Sequence, residues 1–206
     1  MYNCVGILVL PSPYMGLAIA IVVSYMIGNI SPAILLGRLH GIDIRKEGSG
    51  NAGTTNVLRV LGKKAAITTL LVDVLKGTVA AVIFGLLFGA LAAMVSVLAV
   101  FIGHIWPAAF GFKGGKGVAT AFGALLGLNP MLALVCLAVV TITVIVSKRM
   151  SVGAIVACIA FPFVSYFTEP DFIWLGTMMA MIILIKHKEN IGRLARGEEP
   201  KLSFKK

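Results

Sequence analysis

Long apolar runs constrain this chain more than any other feature. They fall at about residues 15–37, 65–90, 91–110, 118–129, 130–147, 151–167 and 172–185. A hydrocarbon layer takes about 20 apolar residues per helical crossing, so a chain of this length has room for roughly six or seven crossings and little else. With 59% hydrophobic and 13% charged residues, the 206-residue chain lacks the polar surface that a soluble exterior of this size requires. Its solvent is lipid, and the expected fold is an all-α integral membrane protein in one domain, 1–206. Residues 1–14, broken by Pro11 and Pro13, read as a peripheral N-terminal extension, and 187–206 as a basic tail. No Lys or Arg precedes the first apolar stretch, which favours an uncleaved first span with its start outside over a cleaved signal peptide. Cys4, Cys136 and Cys158 show no metal-ligand spacing and read as small core residues.

Charge decides the number of spans. Residues 118–147 are either one long kinked helix or two spans turning at Asn129-Pro130, a helix-stopping pair. With two spans and the N-terminus outside, the segments holding Arg38 to Lys64, Lys113 and Lys116, Lys148-Arg149, and Lys186 to Lys206 all face one side. That side then holds every one of the 18 basic residues except Lys76, and the opposite side carries Glu169 and Asp171. One span would put Lys148-Arg149 and the tail on the opposite side, against the tendency of basic loops to stay cytoplasmic. The expectation is therefore seven transmembrane helices with a cytoplasmic C-terminus.

The fourth helix is short. Its dozen or so residues give about 18 Å, against roughly 30 Å of hydrocarbon. Its start, and the glycine loop 111–117 before it, are then expected at membrane depth, where irregular backbone is tolerated only in a polar cavity or inside protein. Asp73 and Lys76, three apart in the second span, can pair on one helical face. A structural ion pair is the leading reading and a catalytic one the alternative.

Three polar segments share the basic side. The first, Gly48 to Arg59, offers hydroxyls on Ser49, Thr54 and Thr55, amides on Asn51 and Asn56, approachable glycine backbone at Gly50, and the Arg59 guanidinium. These donors suit phosphate oxygens. Gly48, Gly50 and Gly53 also fit a dinucleotide-binding glycine pattern, but no strand–helix–strand unit surrounds them. A flexible polar loop is the plain alternative. The second segment, Gly103 to Gly117, sets Gly114, Gly115, Gly117 and Lys116 at a helix start, where free N–H groups and the positive helix end form an anion cradle. It is one residue short of a P-loop, and Gly117 stands where the metal-binding hydroxyl would be. His104, near the span end, reads equally as a packed histidine or a site residue. In the third segment, His187 and Asn190 are three apart on a presumed helix and face the same way, with Arg193 continuing the stripe. A juxtamembrane basic anchor explains the tail lysines but does not call for His187 or Asn190.

No His/Cys/carboxylate cluster has metal-ligand spacing, and no Ser/His/Asp set is evident. A site rich in phosphate donors and poor in an obvious base points to a substrate carrying its own leaving group. The competing class is a transporter for organic phosphates, motivated by the short helix opening on an anion loop. The chain shows only one such helix and no internal repeat.

Gly48 to Arg59, Gly103 to Gly117 and His187 to Glu198 closely resemble, in order and spacing, the three signature motifs of the bacterial acyl-phosphate-dependent glycerol-3-phosphate acyltransferase family, the PlsY family. The resemblance implies a seven-span bacterial inner-membrane enzyme with a cytoplasmic active site and neither metal nor other cofactor. The implied reaction is acyl transfer from acyl phosphate to the 1-hydroxyl of glycerol-3-phosphate in phospholipid biosynthesis. Ser49, Asn51, Thr55, Arg59, Lys116, His187 and Asn190 would bind or polarise the two phosphates, and Ser151 matches a further phosphate-contacting serine. Implied partners are the two substrates, membrane lipid and the soluble enzyme that makes acyl phosphate, with no nucleic acid. In the implied mechanism the acyl phosphate's own oxygen takes the proton, which agrees with the missing base. The extension 1–14 departs from typical members.

Overall fold

The computed structural model describes residues 12–202, and every regular element among them is helical. Expectations for residues 1–11, Cys4 included, and for 203–206 of the tail lie outside the described residues. The helices are α1 (Pro13–Gly28), α2 (Pro32–Leu39), α3 (Thr54–Val60), α4 (Lys63–Phe88), α5 (Ala90–Ile105), α6 (Val118–Leu128), α7 (Pro130–Ser147), α8 (Met150–Thr168), α9 (Ile173–Lys186) and α10 (Lys188–Ala195).

Among the described residues, five helical segments are long and apolar enough to cross a membrane: Tyr14–Leu39, Lys63–Phe88, Ala90–Phe110, Pro130–Ser147 and Met150–Thr168. A sixth is added when the segment Pro170–Lys186 and α10, bent by 55°, count as one span. Helix α6 is apolar but has only 11 residues. Residues 118–147 are thus two helices, and the reason lies at Asn129. Its Oδ1 accepts from Leu132 N at 3.0 Å to cap α7, and Pro130 cannot continue α6. The Asn129 Nδ2 donates to Thr168 O at 3.0 Å and Glu169 Oε2 at 2.7 Å, tying this turn to the end of α8.

In lipid the hydrophobic effect between helices is weak, so close packing must hold them together. Missing side chains supply it at two crossings. A Cβ on Gly123 would lie 2.0 Å from the Val74 carbonyl oxygen, and one on Gly77 would lie 2.4 Å from Thr120 O, so α4 and α6 meet backbone to backbone. Thr78 Oγ1 reinforces that crossing by donating to Gly123 O at 2.8 Å. At the second crossing, a Cβ on Gly28 would lie 2.3 Å from Val100 O, and one on Gly103 2.3 Å from Tyr25 O, which brings α1 against α5. Gly127, one turn on from Gly123, joins the same α4–α6 crossing, since a Cβ on it would lie 2.6 Å from Thr78 O. Gly89 instead forms the α4–α5 turn at φ +86°.

These crossings place the ends of α1 and α5 together. Tyr25 OH donates to Trp106 O at 2.9 Å, and Ala109 N donates to Asn29 Oδ1 at 3.2 Å, which fixes the turn leading into the loop 111–117.

Gly123→Ala should separate α4 from α6 and cost about 1–3 kcal/mol, as overpacking does. A clear fall in the thermal midpoint in detergent is expected, whereas Gly192→Ala, whose Cβ would meet nothing nearer than 3.5 Å, should leave it unchanged or higher. Equal midpoints for both variants would remove the close crossing as a stabilising contact.

Candidate active site

The loop 40–53 is shaped by two side chains. Asn56 is 1% exposed. Its Nδ2 donates to Ile44 O and Glu47 O at 3.1 and 2.9 Å, and its Oδ1 accepts from Ser49 N at 2.8 Å. The amide thus holds the loop and presents Ser49 at the site. Arg45 donates to both Asp43 carboxylate oxygens, at 2.9 and 3.0 Å, and to Phe110 O at 2.9 Å, clamping the loop to the short 3-10 turn Ala108–Phe110 that follows α5. That guanidinium holds the Asp43 carboxyl down at about 2.

Glycine in the loop 111–117 acts sterically more than as an anion cradle. The Gly114 N–H donates to Ile105 O at 3.1 Å and the Gly115 N–H to His104 O at 3.3 Å, so the loop lies back along the last turn of α5. A Cβ on Gly114 would meet His104 O at 2.0 Å, and one on Gly115 would meet His104 Nε2 at 2.3 Å and Ala52 O at 2.8 Å. Both amides expected to be free for an anion are already donating. The charge that the loop presents is Lys116, whose ammonium donates to Asn190 Oδ1. Burial, aided by Arg193, pushes this lysine down to about 8.

The third segment begins where α9 bends into α10 at His187. His187 Nδ1 lies 2.8 Å from Ile183 O. A carbonyl only accepts, so Nδ1 carries a proton, and Nε2 is the ring nitrogen left for a ligand. Beyond α10 the tail folds back, with Leu202 N donating to Lys148 O at 2.7 Å and Arg149 Nε to Glu199 O at 2.9 Å. Glu199 then accepts from Ser151 Oγ, Asn190 Nδ2 and Arg193 Nε, each at 2.7 Å. Burial alone would raise its pKa, but these three donors outweigh burial and lower it. Sequence reasoning missed Glu199, since nothing local separates it from Glu198, which pairs on the surface with Arg196.

These segments surround one cavity of about 520 Å³. From the first segment Ser49, Asn51, Thr55, Asn56 and Arg59 line it. His104, Lys116 and Gly117 come from the second segment, Ser151 from the start of α8, His187 from the α9–α10 bend and Asn190 from α10. Gly50, Gly114 and Gly115 lie outside the cavity wall and shape the backbone. Past this polar end the wall is apolar, made by Phe122 and Leu125 of α6, Val140 of α7, Ala154 and Phe161 of α8, and Met179 of α9. Such a cavity suits an amphiphile with an anionic head.

Under the polar end lies a buried ionic cluster. The Asp73–Lys76 pair expected from spacing forms, with Nζ 2.6 Å from Oδ1. Sequence spacing did not reveal its other partners: Lys76 Nζ also lies 2.7 Å from Ile30 O and 2.8 Å from His104 Nδ1.

Residues 18–197 match the family model for glycerol-3-phosphate acyltransferase. A glycerol-3-phosphate acyltransferase of Neisseria meningitidis is 44% identical over 197 residues, covering 91% of this chain and 98% of that protein. One from Clostridioides difficile is 43% identical over 193 residues, covering 90% and 95%. The crystal structure of PlsY (YgiH), an integral membrane glycerol 3-phosphate acyltransferase, in its glycerol 3-phosphate form superposes with a TM-score of 0.86 at 33% identity, covering 91% of this chain and 96% of that one. With motif order, helical fold and relatives in agreement, the chain belongs to the glycerol-3-phosphate acyltransferase family of integral membrane proteins.

Proposed function

We propose that this protein transfers an acyl group from acyl phosphate to the 1-hydroxyl of glycerol-3-phosphate, giving 1-acylglycerol-3-phosphate and inorganic phosphate. One observation carries the reading: hydroxyl, amide and cationic donors line one end of a cavity whose remainder is apolar. Both substrates carry a phosphate for the polar end, and one carries an acyl chain for the apolar end. Ser49, Arg59, Lys116, His187 and Asn190 hold and polarise the phosphates, and Asn51, Thr55, Ser151 and the Gly117 backbone complete the binding surface. The glycerol hydroxyl attacks the acyl carbon, the bond from that carbon to the phosphate oxygen breaks, and the departing phosphate takes the hydroxyl proton. Positioning two phosphorylated substrates side by side, with charge stabilisation, then accounts for most of the rate.

The same reading has seven crossings, counting α6 and the α9 segment with the five long ones, with the N-terminus outside. The polar end then faces the cytoplasm of a bacterial inner membrane. Its support is the charge asymmetry, since all basic residues but Lys76 fall on that side. Single cysteines at Lys113 and Asp171, in a background lacking the native ones, should react with an impermeant reagent from opposite faces of oriented vesicles. Labelling from one face would overturn this topology.

Purified protein should release phosphate from palmitoyl phosphate only when glycerol-3-phosphate is present. Lys116→Ala and Arg59→Ala should each lose about 2–4 kcal/mol of transition-state stabilisation, a fall of about 10²–10³ in rate. Turnover with acyl-CoA alone would remove the donor, and near wild-type rates in both variants would remove the site assignment.

Lys116 gives this site a pH dependence. Its charged form is lost as pH rises through about 8, and with it the contact to a phosphate. The value of kcat/KM for glycerol-3-phosphate should therefore fall about tenfold per pH unit well above that point, and Lys116→Arg should abolish the decline. A flat profile to pH 9.5 in the wild type would contradict this role.

A further inference from the structure

The proposed mechanism makes no use of the ionic cluster beneath the site. Asp73 and Lys76 are 2% and 5% exposed and lie on a membrane span, and His104 ends the next one at 4%. An ammonium has three N–H donors and no acceptor. Lys76 has three acceptors within 2.6–2.8 Å: Asp73 Oδ1, the Ile30 carbonyl at the α1–α2 break, and His104 Nδ1. The ammonium donates to the Ile30 carbonyl and to His104 Nδ1, and Asp73 Oδ1 is its ion-pair partner without hydrogen-bond geometry. His104 Nδ1 must accept, so it carries no proton, and the neutral ring holds its proton on Nε2.

The rival arrangement is an Asp–His dyad. In it Nδ1 would donate to Asp73, leaving Nε2 as a bare base. The distances argue against this, since Asp73 Oδ1 is 3.3 Å from Nδ1 while Lys76 Nζ is 2.8 Å from it. The Nε2 end of the ring faces the glycine loop, where a Cβ on Gly115 would touch it, and His104 and Asp73 both border the cavity. The Gly115 N–H already donates to His104 O. At this point in the wall the donor is thus a ring N–H and not the backbone amide.

We propose that Asp73 and Lys76 are positioning residues that hold His104 as a neutral imidazole protonated on Nε2, and that this N–H donates to an oxygen of the bound substrate. The proposal rests on the acyl-transfer reading for the identity of the substrate, though not for the state of the ring. A neutral donor suits this place. It stabilises an oxygen gaining negative charge without adding a cation next to Lys76, and it has no lone pair on Nε2 to compete for the glycerol proton.

The ring can be read directly. The chain has three histidines, so ¹⁵N-histidine labelling gives few signals, and His104 is identified by its loss in His104→Gln. The expected spectrum shows a protonated Nε2 and a bare Nδ1 in the wild type. The charge-neutral double variant Asp73→Asn with Lys76→Met should show a mixture of the two tautomers. Kinetics supply the second arm, measured with whichever acyl donor the wild type uses. A glutamine amide nitrogen reaches the place of Nε2 and an asparagine amide nitrogen that of Nδ1. His104→Gln should lose less than about tenfold, while His104→Asn and His104→Ala should each lose about 100-fold or more, the range seen when one oxyanion donor is removed. A loss in kcat assigns the contact to the acyl oxygen, and a rise in KM for glycerol-3-phosphate assigns it to a phosphate oxygen. A protonated Nδ1 in the wild type would overturn the proposal in favour of the dyad. Equal rates for the Gln and Asn variants would overturn it as well, leaving a purely structural cluster. Failure of acyl phosphate as donor would strike the acyl-transfer reading and leave the ¹⁵N result standing.

Discussion

Lipid offers an ammonium no hydrogen bonds, so a charged lysine in a span must find every partner inside the protein. Lys76 finds them on three separate pieces of chain: Asp73 one turn back on α4, the Ile30 carbonyl where α1 breaks into α2, and His104 at the end of α5. That requirement draws the α1–α2 break and the end of α5 against α4. The glycine loop then follows, because its backbone bonds to the last carbonyls of α5. Much of the polar end of the cavity is organised around this one satisfied charge.

The glycines follow the same logic of close approach. Gly123 and Gly77 let α4 and α6 touch, Gly28 and Gly103 let α1 meet α5, and Gly114 and Gly115 let the loop press on His104. In each case the first obstacle to a Cβ is backbone or a buried ring, neither of which can move aside cheaply. A motif rich in glycine thus serves packing here, and the charge that faces the cavity comes from Lys116.

The tail completes the site from the other side. Glu199 gathers Ser151, Asn190 and Arg193 through three charge-assisted hydrogen bonds, and Asn190 in turn accepts from Lys116. A carboxylate among these donors orients them, and it also offsets part of the positive charge that Lys116 and Arg193 would otherwise accumulate. The cost of bringing those cations together is thereby reduced before any anionic ligand arrives.

Hydropathy and charge made the helical membrane fold, the turn at Asn129-Pro130, the short α6 and the grouping of three polar segments legible from the sequence alone. Each of these depends on local composition or on a count along the chain. Spacing also gave the Asp73–Lys76 pair, because residues three apart on a helix are neighbours in any fold. His104 and Ile30 as partners of Lys76, Glu199 as partner of Ser151, and the use of the Gly114 and Gly115 amides in backbone bonds came only with the tertiary structure. Those contacts join residues 28 to 48 positions apart, or depend on how closely two backbones approach, and neither leaves a periodic mark in the sequence. The amino-acid order thus determined which hydroxyl, amide and cationic donors this protein has and on which segments they lie. Packing decided which of them reach the cavity and which hold it in shape, because the Gly114 and Gly115 amides are bonded to the last carbonyls of α5 while Lys116 and Arg59 line the cavity.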